Sequence, residues 1–178
     1  SEAKTLLEQA QANSPNNIER LGEMSDLYIS LKQPEDAIKA MKLSIGLHPE
    51  NKDIKFDMLR TLFDSGYKDE ANNFCKQVTT PKEVVRYYNN RGVLLSKEGN
   101  VEGAIKEYEF ALTLFPNSKD NYRIYYNIAL AQTKLKNRRS FESAILNLQQ
   151  CLALDPTFDK AKTLIQSIEG ILNKKKAS

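Results

Sequence analysis

The sequence has 178 residues, of which 26 are Lys or Arg and 23 are Asp or Glu, so its formal net charge is +3. This length is enough for one domain with an ordinary hydrophobic core, and an apolar content of 40% excludes a disordered or collagen-like chain. No window approaches the roughly 18 uninterrupted apolar residues of a membrane span, so we expect no membrane partner.

Residues that could carry metal or redox chemistry are few. Cys75 and Cys151 lie far apart without a Cys-x-x-Cys pair, and His48 is the single histidine of the sequence. These facts argue against a disulfide framework and a tetrahedral zinc site, and we expect no cofactor. Both cysteines are predicted to be buried core thiols and His48 a solvated turn residue.

The N-terminal residues lack the apolar segment of a secretory signal, which favours a cytoplasmic location. The abrupt start without Met predicts a processed chain or a fragment of a longer one. At the other end, we expect the run Lys174, Lys175 and Lys176 to be a frayed tail.

A repeat of about 34 residues runs through the sequence. Pro15 and Pro49 are one period apart, and so are Ala37 and Ala71. Between the prolines, large apolar residues recur at helical spacing, and small residues allow paired helices to approach closely. No segment alternates with the period of a strand, so the chain is predicted to be all-α with ten helices.

The predicted elements form a single domain, 1–178. Residues 1–17 are an orphan second helix, and residues 159–173 are a closing helix. Four helix pairs lie between them, at 18–51, 52–84, 85–118 and 122–158. Helix breaks are predicted at Pro15, Pro49, Pro116 and Pro156. The second pair is the most degenerate, because Leu59 stands where the third repeat has Gly92, and Glu83 stands where it has Pro116.

The repeats resemble the tetratricopeptide repeat (TPR) family over nearly the whole chain. The third repeat matches best, through Tyr88, Gly92, Leu95, Ala104, Tyr108, Ala111 and Pro116. The resemblance implies a right-handed solenoid of antiparallel helix pairs, whose concave groove is lined by the first helix of each pair. It also implies a noncatalytic scaffold that binds a partner peptide or helix in this groove.

Three stretches are similar to a narrower group, the TPR segments that follow the receiver domain in some bacterial two-component response regulators. Ser14 to Leu21 reads S-P-N-N-I-E-R-L, which looks like the S-P-x-N-x-E-R-L entry of that group. The other stretches are residues 87–108 and 125–165. This resemblance implies an output segment in signal transduction, with the receiver outside these residues.

The sequence lacks the nucleotide-binding and hydrolase motifs, including G-x-x-x-x-G-K-[ST], G-x-G-x-x-G, H-E-x-x-H and G-x-S-x-G. We therefore expect no catalytic residues, no metal site and no enzyme activity.

The TPR resemblance places particular repeat positions in the groove. In the third and fourth repeats and the closing helix, these give a predicted peptide-binding site of Arg86, Asn89, Asn90, Lys97, Arg123, Tyr126, Asn127 and Lys134, with Val93, Leu130 and Lys160 beside it. In the first two repeats, the same positions are Glu19, Glu23, Asp26, Asp53, Phe56, Asp57, Arg60, Phe63 and Asp64. Asn90 and Asn127 share the sixth repeat position, where an amide can both donate to and accept from a peptide backbone.

Several alternatives stay open at this point. The tyrosines at 87, 88, 122, 125 and 126 are divided between core positions and an apolar wall of the groove. The orphan helix leaves an open stack end through which the chain could self-associate as a homodimer. Residues 81–178 hold 16 basic and 10 acidic side chains, which permits weak nucleic-acid binding, although interleaved acids disfavour it.

Overall fold

A computed structural model describes residues 2–174, and this part of the chain contains ten α-helices and no strand. The helices are α1 (Glu2–Asn13), α2 (Ile18–Ser30), α3 (Pro34–Leu47), α4 (Lys52–Asp64), α5 (Lys68–Val78), α6 (Pro81–Lys97), α7 (Val101–Leu114), α8 (Tyr122–Thr133), α9 (Arg138–Leu154) and α10 (Asp159–Lys174). A 3₁₀ turn, Lys119–Asn121, precedes α8. The all-α prediction is confirmed. None of the helices in residues 2–174 has the length and apolar character needed to cross a bilayer.

The four predicted helix breaks are confirmed. Pro15, Pro49, Pro116 and Pro156 all lie between helices, because a proline cannot continue the helix that precedes it. Of the expected basic tail, Lys175 and Lys176 lie outside the described residues.

The contacts divide the chain after Val78 into two compact units. The single domain, 1–178, remains a prediction.

In the first unit, α2 packs against α3 and α4 against α5. One cluster of its core consists of Leu21, Met24, Tyr28, Ala37 and Ala40. The orphan helix α1 is joined to this cluster through the hydroxyl of Tyr28, which donates to Glu8 Oε1 at 2.8 Å. Burial, with a smaller contribution from Glu8, raises the pKa of Tyr28 to about 12.

One groove assignment in the first unit is wrong. The repeat pattern places Phe56 on the concave face, but its side chain is 1% exposed. Leu59 and Leu62 follow it at three-residue spacing and are fully buried. The three side chains therefore form one inward apolar stripe of α4, since residues three apart share a helix face.

In the second unit, α6 packs against α7 and α8 against α9, while α10 covers α9. One core cluster contains Ala129, Phe141, Ala144, Leu148, Cys151, Ala161 and Ile168. Tyr88 is 1% exposed and belongs to the core, whereas Tyr122, Tyr125 and Tyr126 are half-buried around the cluster. Of these four tyrosines, Tyr88 is therefore a core residue, and Tyr122, Tyr125 and Tyr126 are not fully buried.

Both cysteines are buried free thiols, as predicted. Burial raises the pKa of Cys75 to about 12. Burial, with a smaller contribution from Asp155, raises the pKa of Cys151 to about 11. Neither thiol has the exposure or the lowered pKa that a reactive cysteine needs.

Candidate functional site

Two adjoining open pockets in the second unit contain most of the predicted site. The first, called the basic pocket, has a volume of about 380 Å³. It is lined by Lys82, Val85, Arg86, Asn89, Asn90, Asp120 and Arg123. The second, called the aromatic pocket, has a volume of about 310 Å³. It is lined by Asn89, Tyr122, Arg123, Tyr126, Asn127, Phe158 and Lys160.

The two pockets adjoin each other, because Asn89 on α6 and Arg123 on α8 line both of them. We call this surface the unit 2 groove. It extends from the first turn of α6, along the first turns of α8, to the start of α10.

The start of α6 is fixed by a capping box. The Thr80 hydroxyl accepts from the backbone N–H of Glu83 at 3.3 Å, and the Glu83 carboxylate accepts from the backbone N–H of Thr80 at 3.0 Å. Such reciprocal bonds satisfy N–H groups that have no partner within the helix. From this start, Lys82, Arg86 and Asn89 follow at helical spacing and reach the same groove.

The start of α8 is fixed by a buried asparagine. Asn121 is 0% exposed, and its Nδ2 donates to the backbone oxygens of Phe115 at 2.7 Å and Pro116 at 3.3 Å. These bonds tie the 3₁₀ turn to the end of α7. Arg123, Tyr126 and Asn127 then lie three and four residues apart, on the face of α8 that lines the aromatic pocket.

Positive charge predominates in the basic pocket, where Lys82, Arg86 and Arg123 are exposed cations and Asp120 is the single lining carboxylate. Arg123 Nε donates to the Tyr122 hydroxyl at 2.8 Å, and its guanidinium lies 5.4 Å from the centre of that ring. The bond to Tyr122 raises the pKa of Arg123 above its already high usual value. Arg123 is therefore a permanent cation held at the junction of the two pockets.

An amide pair joins α6 to α8 inside the groove. The Nδ2 of Asn127 donates to the Oδ1 of Asn89, and both side chains are half-buried. The sequence grouped Asn127 with Asn90, but Asn90 is exposed and lines only the basic pocket, whereas Asn127 lines the aromatic pocket. The Asn89–Asn127 bond does not use the Nδ2 of Asn89 or the Oδ1 of Asn127, so a donor and an acceptor remain for a ligand.

The aromatic pocket has a wall of three rings. Phe158 stands edge-on to Tyr122, with ring centres 5.2 Å apart, and edge-on to Tyr126, at 5.1 Å. Edge-to-face contacts of this kind hold aromatic rings in defined orientations. Lys160, on the first turn of α10, adds a cation at this end of the groove.

Six of the eight predicted site residues line the groove, namely Arg86, Asn89, Asn90, Arg123, Tyr126 and Asn127. Lys97 and Lys134 line neither pocket. The Nζ of Lys134 donates to the backbone oxygen of Ser96 at 2.9 Å and to its hydroxyl at 2.7 Å, near the end of α6. This cation therefore complements a helix C-terminus.

Four lining residues were missed, namely Lys82, Val85, Asp120 and Phe158. Lys82 precedes the third repeat, which the pattern begins at residue 85, while α6 already begins at Pro81. Phe158 lies in a turn, outside the first helices that the pattern assigns to the groove. The sequence feature that could have revealed Phe158 is an aromatic side chain in a polar turn just before the closing helix. Within residues 2–174, no group of three His, Cys, Asp or Glu side chains could hold a metal ion.

Comparison with known families gives a direct match. The model described as "Tetratricopeptide repeat" matches residues 18–51, 85–118 and 122–158, which together are more than half of the chain. Human sperm-associated antigen 1 is 27% identical over 112 residues, which are 63% of this chain and 11% of that protein. The chain thus spans only about a ninth of this relative's length.

Solved structures with a similar fold include MamA, at 21% identity and a TM-score of 0.38, over 86% of this chain and 87% of that one. Yeast Tom70 is 16% identical with a TM-score of 0.49, over 97% of this chain and 36% of Tom70. A human IFIT1 dimer with m7Gppp-AAAA is 18% identical with a TM-score of 0.46, over 97% and 42% of the respective chains. At these identities the likeness concerns the fold alone.

Proposed function

The chain belongs to the tetratricopeptide repeat family, and from this premise we propose that it is a noncatalytic scaffold that binds a partner's peptide in the unit 2 groove. Proteins of this family generally act as protein-interaction scaffolds. The observation that carries the proposal is the convergence of cations, amides and aromatic rings from α6, α8 and the start of α10 on two adjoining pockets.

The groove has the chemistry that an extended peptide requires. The Asn89–Asn127 pair keeps one donor and one acceptor, which match the C=O and N–H of a peptide backbone. Arg86 and Arg123 attract acidic or carbonyl-rich segments, and the rings of the aromatic pocket accept an apolar side chain. The cations are exposed, so the affinity should fall as salt screens them.

The test is the double variant Asn89→Ala, Asn127→Ala, which removes the amide pair, assayed by calorimetry against a partner first identified by pull-down with the natural polypeptide. Each lost hydrogen bond is worth roughly 0.5 to 1.5 kcal/mol, so the affinity should fall about tenfold or more while helicity is kept. Arg123→Glu should also weaken binding, and its effect should diminish at high salt because it acts through charge.

The matched control is Asn147→Ala. Asn147 is also half-buried, and its Nδ2 joins α9 to α8 by donating to Gln132 Oε1 at 3.1 Å, but it lines neither pocket. Asn147→Ala should lower the free energy of unfolding without changing the affinity for the partner. Equal affinities of wild type, the Asn89, Asn127 double variant and Arg123→Glu would exclude the groove as the binding surface.

We also propose, from the resemblance of three stretches, that the chain is the output segment of a two-component response regulator. The arginine of the entry motif forms two hydrogen bonds to the preceding segment. Arg20 Nη1 donates to the backbone oxygens of Ala10 at 2.6 Å and Ser14 at 3.3 Å. These bonds fix the passage from α1 into α2.

The output role predicts that the natural polypeptide carries a preceding domain that takes phosphate from acetyl phosphate. Intact-protein mass spectrometry of the natural polypeptide would detect the added phosphate. A natural polypeptide without such a domain contradicts this role.

A homodimer is the second candidate, and one observation favours it. A pocket of about 580 Å³ in the first unit, between α1 and α3, exposes Leu43, whose side chain is 59% accessible. Covering this side chain with a second copy would remove apolar surface from water. Sedimentation velocity should then detect a dimer that Leu43→Glu converts to monomer, and a monomeric wild type at high concentration would reject it.

A further inference from the structure

We propose that the unit 2 groove binds an internal peptide segment in which two acidic side chains adjoin an aromatic residue. The acidic side chains occupy the basic pocket and the aromatic ring occupies the aromatic pocket. This inference rests on the proposed function, because it specifies the peptide that the same groove takes.

The charge of the basic pocket calls for two acidic groups. Three cations, Lys82, Arg86 and Arg123, face one carboxylate, Asp120, so the lining carries an excess of two positive charges. Two carboxylates neutralise this excess, and arginine binds a carboxylate through two parallel hydrogen bonds. Because the cations are exposed, one acidic group alone would contribute little.

The aromatic pocket calls for a planar apolar side chain. Tyr122, Tyr126 and Phe158 present half-buried rings held edge-to-face at 5.1 to 5.2 Å. A ligand ring can add to this cluster in the same edge-to-face or offset manner. Lys160 lies at the side of the pocket and can attract the ring face.

The two groups belong to one ligand because the pockets adjoin each other. Asn89 and Arg123 line both, so an acidic side chain and a ring bound in them are neighbours. In the aromatic pocket, which Asn89 and Asn127 both line, the Nδ2 of Asn89 and the Oδ1 of Asn127 offer a donor and an acceptor at once. A backbone peptide group supplies the complementary pair, whereas a free anion supplies acceptors alone. The ligand is therefore a continuing peptide chain whose side chains provide the acids and the ring.

The experiment uses fluorescein-labelled heptapeptides with an acetylated N-terminus and an amidated C-terminus, titrated with the full chain and followed by anisotropy. The central residues are Asp-Asp-Phe or Phe-Asp-Asp in a Gly-Ser background, so that both chain directions are tested. Analogues carry Asn-Asn-Phe, Asp-Asp-Ala, or the corresponding reversed orders. At least one direction should bind about tenfold more tightly than both of its analogues.

Protein variants place the acids in the basic pocket. Arg86→Glu, and separately Lys82→Glu, should weaken binding of the acidic-aromatic peptide about tenfold and leave the Asn-Asn-Phe analogue nearly unchanged. The matched control is Lys106→Glu, an equal charge reversal at an exposed position of α7 that lines neither pocket. It should change affinity by less than about twofold. Circular dichroism confirms that each variant is folded.

Four results would overturn the inference. They are equal binding of the Asn-Asn-Phe analogue, equal effects of Arg86→Glu and Lys106→Glu, tenfold tighter binding of a phosphoserine-Phe peptide, or tighter binding of a free C-terminal carboxylate without acidic side chains. A further outcome separates the two proposals. If the synthetic peptides fail to bind while the partner still loses affinity for the Asn89, Asn127 double variant, this inference fails and the proposed function stands.

Discussion

At Gly92, the backbone of α6 lies directly against the ring of Tyr108 on α7. An added Cβ would lie 2.3 Å from Tyr108 Cε1, and this tyrosine is 2% exposed, so its ring has no free space to enter. The sequence predicted a close approach at this small residue, and the prediction is confirmed. The same contact explains why the best-matching repeat keeps glycine here although alanine favours helices.

Gly92→Ala should lower the free energy of unfolding by about 1 to 3 kcal/mol, because overpacking exceeds the gain in helix propensity. The measurement is urea denaturation followed by circular dichroism. Gly170→Ala, on α10 of the same unit, is the control, since an added Cβ there meets nothing within 4 Å. It should leave stability unchanged or raise it by up to about 1 kcal/mol. A loss of equal size at both positions would contradict the packing argument.

The two buried thiols make stability depend on alkaline pH. In the folded state their pKa values are about 12 for Cys75 and about 11 for Cys151, whereas in the unfolded chain a thiol has a pKa of about 8.5. The folded state thus retains protons that the unfolded state releases. The stabilisation is complete below about pH 8.5 and is lost as the pH rises towards the folded values.

Between pH 8 and pH 10, the free energy of unfolding should fall by about 2 kcal/mol for each thiol. The Cys75→Ala and Cys151→Ala variants should each show a smaller fall, whatever their stability at pH 8. Urea titrations at the two pH values measure this difference. Tyr28 and Tyr108, whose pKa values are raised to about 12 by burial, act mainly above this range. Identical pH slopes in wild type and variants would refute the assignment.

Among the helices, α4 and α5 form the pair expected to open first. They have 13 and 11 residues, against 17 and 14 for α6 and α7. The family model matches the repeats on both sides of residues 52–84 but does not match that segment. The sequence also identifies this repeat as the most degenerate, because Leu59 and Glu83 replace a glycine and a closing proline.

Native-state hydrogen exchange should find the core amides of α4 and α5 exchanging about tenfold or more faster than those of α6 and α7. Each measured exchange rate is divided by the intrinsic rate of the same amide in an unfolded chain. This removes the effect of neighbouring side chains on the exchange reaction itself. Equal or reversed protection would count against a weak second repeat.

Helix boundaries were predictable from sequence because prolines and caps act locally. The residues that line the groove were less predictable, because one repeat position can face two environments. Phe56 and Asn89 occupy the same fifth position, yet Phe56 is core and Asn89 lines both pockets. In α4, an apolar side chain at this position joins its buried neighbours, and in α6 a polar one pairs with Asn127 instead. Phe158 was missed because a turn brings it to the groove, and the repeat pattern describes helices only.

Over the whole molecule, charge is divided unevenly. Residues 1–80 hold 10 basic and 13 acidic side chains, and residues 81–178 hold 16 and 10. The excess of positive charge thus falls in the part of the chain that contains the unit 2 groove. Unevenly distributed charge of this kind speeds association with an oppositely charged partner and makes it sensitive to salt.

The most direct test of the central claim is an NMR titration of the ¹⁵N-labelled full chain with the binding segment of a verified partner. We predict that the largest amide shifts fall in residues 82–90, 120–127 and 158–160, which carry the unit 2 groove. In low salt, the shifts should reach the same end point at a lower peptide concentration than in high salt. Shifts confined to α1–α3 or to the outer face of α9, with these three segments unchanged, would contradict the claim that this groove binds the partner.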